Sequence, residues 1–111
     1  MMVPTCMMGP YYALLSLTVS HLVANGVEKD KAQYFVARTY RGMALDAERG
    51  CTEEGHFERL VGEQTPGGIN EMSIGNLDRL GAWDMYKTAM DGILERLSGK
   101  GNGRRGEEGP K

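Results

Sequence analysis

Between Tyr11 and Ala24 the chain carries apolar side chains on nearly every side of a helix. Tyr11, Tyr12, Leu14, Leu15, Leu17, Val19, Leu22 and Val23 together cover most of its circumference. An amphipathic helix hides one stripe against one neighbour, whereas a helix apolar all round needs neighbours on several sides. At 111 residues the chain has the length of one domain and can rarely surround such a helix alone. A partner subunit is therefore expected. The run is too short to span a bilayer and contains Ser16, Ser20 and His21, so it reads as a buried helix.

Four more helical segments follow from spacing and stop signals. The first helix covers about residues 10–25 and ends at Asn25-Gly26, a usual C-terminal stop. The second covers about 28–49, with Ala32, Phe35, Val36, Tyr40, Met43 and Ala44 at helical spacing, and ends at Gly50. A third covers about 53–61, with Thr52 as N-cap and acidic residues in its first turn. The fourth opens after Thr65-Pro66-Gly67-Gly68, with Ile69, Met72, Leu77 and Leu80 marking its core face before Gly81. The fifth covers about 83–97 and repeats the pattern in Trp83, Tyr86, Met90, Ile93, Leu94 and Leu97. No alternating pattern of strand length appears, so the fold class is all-α. Residues 1–98 form one helical domain, and the tail 99–111, rich in glycine and charge, is expected to be disordered.

Composition removes several function classes. Net charge is −2, and no basic stripe interleaves with aromatics, so nucleic acid is not an expected partner. Cys6 and Cys51 form no CxxC pair and match no zinc spacing. Both read as free thiols of a reducing compartment, and no metal is expected. The N-terminus is apolar but has no preceding positive region and no small-residue cleavage site, which argues against a signal peptide. A cytoplasmic protein with no membrane partner is expected.

Catalytic side chains are scarce. His21 reads as a helix-face residue and His56 as a surface one, and no Ser or Cys sits in a nucleophile elbow. Glu53, Glu54, Glu58 and Glu63 read as a solvated face. The eight methionines fall mostly on core faces. No GxGxxG follows a strand and no Walker loop exists, so this chain alone holds no nucleotide cofactor.

One turn stands apart from this inventory. In Thr65-Pro66-Gly67-Gly68, Pro fixes φ near the helical value and the two glycines clear side chains from the backbone. The free N–H groups at a helix start carry the positive end of the macrodipole and can seat a carboxylate or phosphate. An ordinary Pro-Gly turn between helices is the plainer reading of the tetrapeptide by itself.

Taken together, Gly9-Pro10-Tyr11-Tyr12, the Asn25-Gly26-Val27 stop and Thr65-Pro66-Gly67-Gly68-Ile69-Asn70 resemble the C-terminal dimerisation domain of pyrroline-5-carboxylate reductases. That family shows a Gly-Pro-Ala-Tyr segment opening a long buried helix, a Gly-Val/Leu turn, a further pair of helices, Ser-Pro-Gly-Gly-x-Thr, and two closing helices. Order, spacing and helix count agree over about residues 4–98. The resemblance implies a five-helix domain of the 6-phosphogluconate dehydrogenase C-terminal-like type, interlocked as a homodimer. It implies NAD(P)H-dependent reduction of a cyclic imine carboxylate to proline, with the cofactor held by a preceding Rossmann domain that this chain lacks.

Under that resemblance the substrate site takes Thr65, Pro66, Gly67, Gly68, Ile69 and Asn70, with the carboxylate on Gly67 and Gly68. Asn70 stands where the family has a Thr that hydrogen-bonds near the ring nitrogen, and is the catalytic candidate. A side chain at Gly68 is expected to obstruct the substrate without unfolding the domain. Tyr11 replaces a small residue and Met8 a small or hydroxyl residue, departures that fit a divergent reductase-like branch. Starting where the family's second domain starts, the chain reads as a fragment, split gene product or truncated frame, inactive alone. The alternatives are a stand-alone helical dimerisation module and the partner of a reductase for another imine or keto acid.

Overall fold

In a computed structural model, residues 2–107 are described. They form six helices and, among the described residues, no strand: α1 (Val3–Cys6), α2 (Met8–Ala24), α3 (Lys29–Arg49), α4 (His56–Gly62), α5 (Ile69–Arg79) and α6 (Ala82–Leu97). The all-α reading stands. The described residues divide into two compact units, one of residues 9–64 and one of residues 2–8 with 65–107.

In the first unit, α2 ends as its sequence dictates. Gly26 takes φ +96°, the Val27 N–H reaches the Leu22 carbonyl at 3.1 Å and the Gly26 N–H reaches Val23 at 3.0 Å. This paired closure is a Schellman motif, and only glycine enters its left-handed position without strain. Tyr11 of α2 meets Tyr40 of α3 edge-on, with ring centroids 6.0 Å apart. Beyond this contact, Ala32 and Val36 are the buried apolar side chains of α3.

The helix apolar all round is not buried within its own unit. Tyr11, Tyr12, Leu17 and Val23 are exposed, and α2 contains no buried residue. The expectation of a buried helix is thus corrected: α3, which α2 meets in this unit, leaves these side chains exposed. The apolar helical stretch is also longer than the sequence reading allowed. Helices α1 and α2 follow one another over Val3–Ala24, 22 residues long and apolar enough to cross a membrane by length and composition. Core helices of soluble proteins and signal sequences pass the same test.

The α3–α4 junction departs from the sequence reading. Thr52 caps nothing; the chain turns through residues 51–55, and α4 starts at His56 behind Gly55, at φ +71°. His56, read as a surface residue, is 6% exposed. Its Nε2 lies 3.2 Å from the Asp46 carbonyl and its Nδ1 2.8 Å from an Arg59 guanidinium nitrogen. A guanidinium only donates, so Nδ1 accepts and Nε2 carries the proton that it donates to Asp46. Arg59 is shared with Glu53 at 3.5 Å and Glu63 at 3.8 Å. The imidazole thereby ties the last turn of α3 to the first turn of α4.

That tie explains Gly50. A Cβ built there falls onto the His56 ring. Gly50→Ala is expected to push the imidazole out and destabilise the unit by about 1–3 kcal/mol, the usual range for overpacking. Thermal melts followed by far-ultraviolet circular dichroism check this, and an unchanged melting temperature would refute the packing role.

In the second unit, α5 and α6 pack together and α1 lies against α6. Gly81, at φ +80°, makes the break between α5 and α6. Its buried residues are Ala82 and Gly92, both on α6. Ile69 is 78% exposed and Leu80 75%, so both ends of the expected core face of α5 are uncovered within this unit. Trp83, Tyr86, Leu94 and Leu97 are likewise exposed, while Met90 and Ile93 are partly covered.

Candidate functional site

The turn before α5 is built by its sequence. The Gly68 N–H donates to the Thr65 carbonyl at 2.9 Å, and Gly67 has φ +75°. These are the marks of a type II turn, with Pro66 at its second position and glycine obligatory at the third. Helix α5 begins only at Ile69, three residues beyond Pro66, and Gly68 is its N-cap in extended conformation. Pro66 therefore shapes the turn and lies outside the helix.

All six predicted site residues lie together on this turn and the first turn of α5. Thr65, Pro66, Gly67, Ile69 and Asn70 are exposed and Gly68 is half-buried. The helical ladder opens with the Met72 N–H on the Gly68 carbonyl at 3.1 Å, so the N–H groups of Ile69, Asn70 and Glu71 precede it.

Two features bear on anion binding that the sequence reading did not include. The Gly67 N–H donates to Oε1 of Glu71 at 3.0 Å. The Gly68 N–H is taken by Thr65. Both donors assigned to a substrate carboxylate thus have partners within the chain, and one of those partners is itself a carboxylate. The signal was present, since an acidic residue at the third helical position commonly reaches back to a preceding N–H. An anion on Gly67 has to displace Glu71.

The second feature concerns Gly68. A Cβ there lies 2.9 Å from the Thr65 carbonyl oxygen and 3.2 Å from the Thr65 Cβ. A side chain at Gly68 therefore displaces the Thr65 carbonyl and reshapes the turn itself. Substitution at Gly67 is no cleaner, because its positive φ strains any L side chain. Asn70 and Glu71 are the positions that probe the site without remaking the turn.

The other candidates contribute little. His21 is exposed on α2, and His56 is committed to the α3–α4 junction. Glu53 and Glu63 are exposed partners of Arg59. Cys6 and Cys51 are both free thiols at exposed positions. Among the described residues, no group of three His, Cys, Asp or Glu side chains is placed to hold a metal. In unit 9–64, Leu15, Val19, Lys29, Gln33 and Val36 line a groove of about 370 Å³ between α2 and α3.

No family model, curated protein or solved structure matches this chain.

Proposed function

We propose that this chain is the dimerising and substrate-binding half of a pyrroline-5-carboxylate-reductase-like oxidoreductase. The observation that carries the proposal is a juxtaposition along one all-helical chain. Gly9-Pro10-Tyr11-Tyr12 lies at the opening of the apolar helix, a Schellman stop follows at Asn25-Gly26, and the Thr65–Gly68 turn delivers α5. The exposed apolar residues of α2, α5 and α6 support it, since a stable soluble monomer seldom leaves such surface open.

In this reading, two copies cover each other's apolar helices, and a cyclic imine carboxylate binds at the first turn of α5. Asn70 hydrogen-bonds near the ring nitrogen, and the N–H groups at the start of α5 face the carboxylate. The residues of this chain do not fit a nicotinamide cofactor. Its described part has no strand leading into a glycine-rich loop and helix, so NAD(P)H belongs to a Rossmann-type partner domain. The chain's own task is to bind and orient the substrate.

Two measurements test the reading. The purified chain is expected to bind no NAD(P)H and to oxidise none with pyrroline-5-carboxylate present; turnover free of host reductase would overturn it. Supplying a Rossmann domain of this reductase class is expected to restore imine reduction. Retained dimerisation without activity on a panel of imines and keto acids would instead favour a helical dimerisation module.

A further inference from the structure

The glycine-rich segment after α6, which composition assigns to disorder, has the geometry of a built element over residues 99–107. Helix α6 ends in a second Schellman motif: Gly99 has φ +73°, the Lys100 N–H reaches the Glu95 carbonyl at 3.0 Å and the Gly99 N–H reaches Arg96 at 3.2 Å. This closure turns the chain back along α6. Gly103, at φ +79°, then lies directly against Gly92, so that a Cβ on either residue would strike the carbonyl of the other. Gly101 lies against the Glu95 side chain in the same way.

Polar contacts fix the segment further. Arg105 pairs with Glu95 at 2.7 Å, with both side chains about two-thirds covered. Asn102 Oδ1 accepts the Arg104 N–H at 2.9 Å, closing an Asx turn, and Arg104 pairs with Glu107 at 3.2 Å. Gly92 is the counterpart on the helix. A glycine inside a helix costs about 1 kcal/mol relative to alanine, yet this one is buried and allows the close approach of Gly103. A flexible tail needs neither a buried glycine beneath it nor an ion pair one helical turn away.

We propose that residues 99–107 are a C-terminal clasp that closes on α6 through Gly92–Gly103 and Glu95–Arg105. The clasp supplies one wall of a cavity of about 440 Å³, whose other walls are Cys6, Ala89, Ile93 and Leu97. Asn102, Gly103 and Arg104 are the lining residues that the clasp contributes. Opening it uncovers Gly92 and the half-buried Ile93, so the clasp is a conformational device built around α6. The inference does not depend on the reductase reading.

Backbone relaxation of the full ¹⁵N-labelled chain, with limited trypsin digestion, tests it. Order parameters for residues 100–106 are expected near the rigid-backbone value of about 0.85, and values below about 0.6 would overturn the clasp. Trypsin cleavage after Arg104 and Arg105 is expected to be slow compared with a free peptide of residues 99–107; equal rates would overturn it. Gly92→Val is expected to raise the cleavage rate about tenfold. Glu95→Gln, which leaves the helix and its backbone closure intact, is expected to raise it roughly threefold, the scale of one exposed ion pair. Glu95→Gln stands as the test if Gly92→Val fails to fold, and an unchanged rate in it would remove the ion pair from the device.

Discussion

Leu17→Asp is expected to abolish self-association of this chain. Leu17 is 66% exposed on α2, so the change disturbs little of the chain's own packing. Leu15 is half-buried and lines the α2–α3 groove, so its replacement would confound assembly with folding. Each large apolar side chain removed from water contributes roughly 1.5–3 kcal/mol. Tyr11, Tyr12, Leu17 and Val23 supply four such side chains from one helix, and a second copy supplies the same number. An unpaired charge placed among them costs several kcal/mol.

Sedimentation equilibrium at micromolar concentration provides the measurement. The parent chain should sediment as a dimer and the Asp variant should not. The parent's melting temperature should also rise with protein concentration, because association stabilises only the folded state. A compact parent monomer with a concentration-independent melt would remove the assembly argument and the support it lends the reductase reading.

The second large effect is expected at Glu71. In a chain rejoined to a Rossmann domain, Glu71→Ala should lower KM for an imine carboxylate about tenfold or more. The Glu71 carboxylate holds the Gly67 N–H at 3.0 Å, and the substrate must displace both that bond and its charge. A charge-assisted hydrogen bond contributes roughly 1.5–3 kcal/mol, which brackets the expected change. Glu71→Gln keeps the reach without the charge and should fall between the two. Asn70→Ala should reduce kcat/KM through the lost hydrogen bond, and Asn70→Thr should retain or improve activity on the pyrroline substrate.

If Glu71 serves only as a helix cap, the outcome differs. Glu71→Ala then loses about 1 kcal/mol of stability and Glu71→Gln less, with kinetics unchanged in the folded fraction. Melts and steady-state rates on the same proteins separate the two roles. Kinetics that simply follow the amount of folded protein would end the carboxylate-binding role of this turn.

Much of the local structure was legible in the residues. The Asn25-Gly26 stop, the Thr65–Gly68 turn and the ends of α3, α5 and α6 lie within a residue or two of their expected places. Glycines with positive φ and a proline in a tight turn impose such features through sterics on a few consecutive bonds. The helical period was equally plain, because helix formation uses contacts only three or four residues apart.

What sequence alone did not reveal depends on residues distant along the chain or on a side chain's choice among partners. His56 looked like a surface residue because nothing within a few positions predicts that Asp46, Gly50 and Arg59 converge on it. The same holds for Gly92 and Gly103, whose meaning appears only when the chain reverses after α6. Glu71 was visible in the sequence, but its hydrogen bond to Gly67 emerged only with the turn's geometry. Sequence determined that this protein is helical and where it bends. Tertiary structure decided which of those residues meet, because burial and hydrogen bonding are satisfied by whichever groups the folded chain brings within about 3 Å.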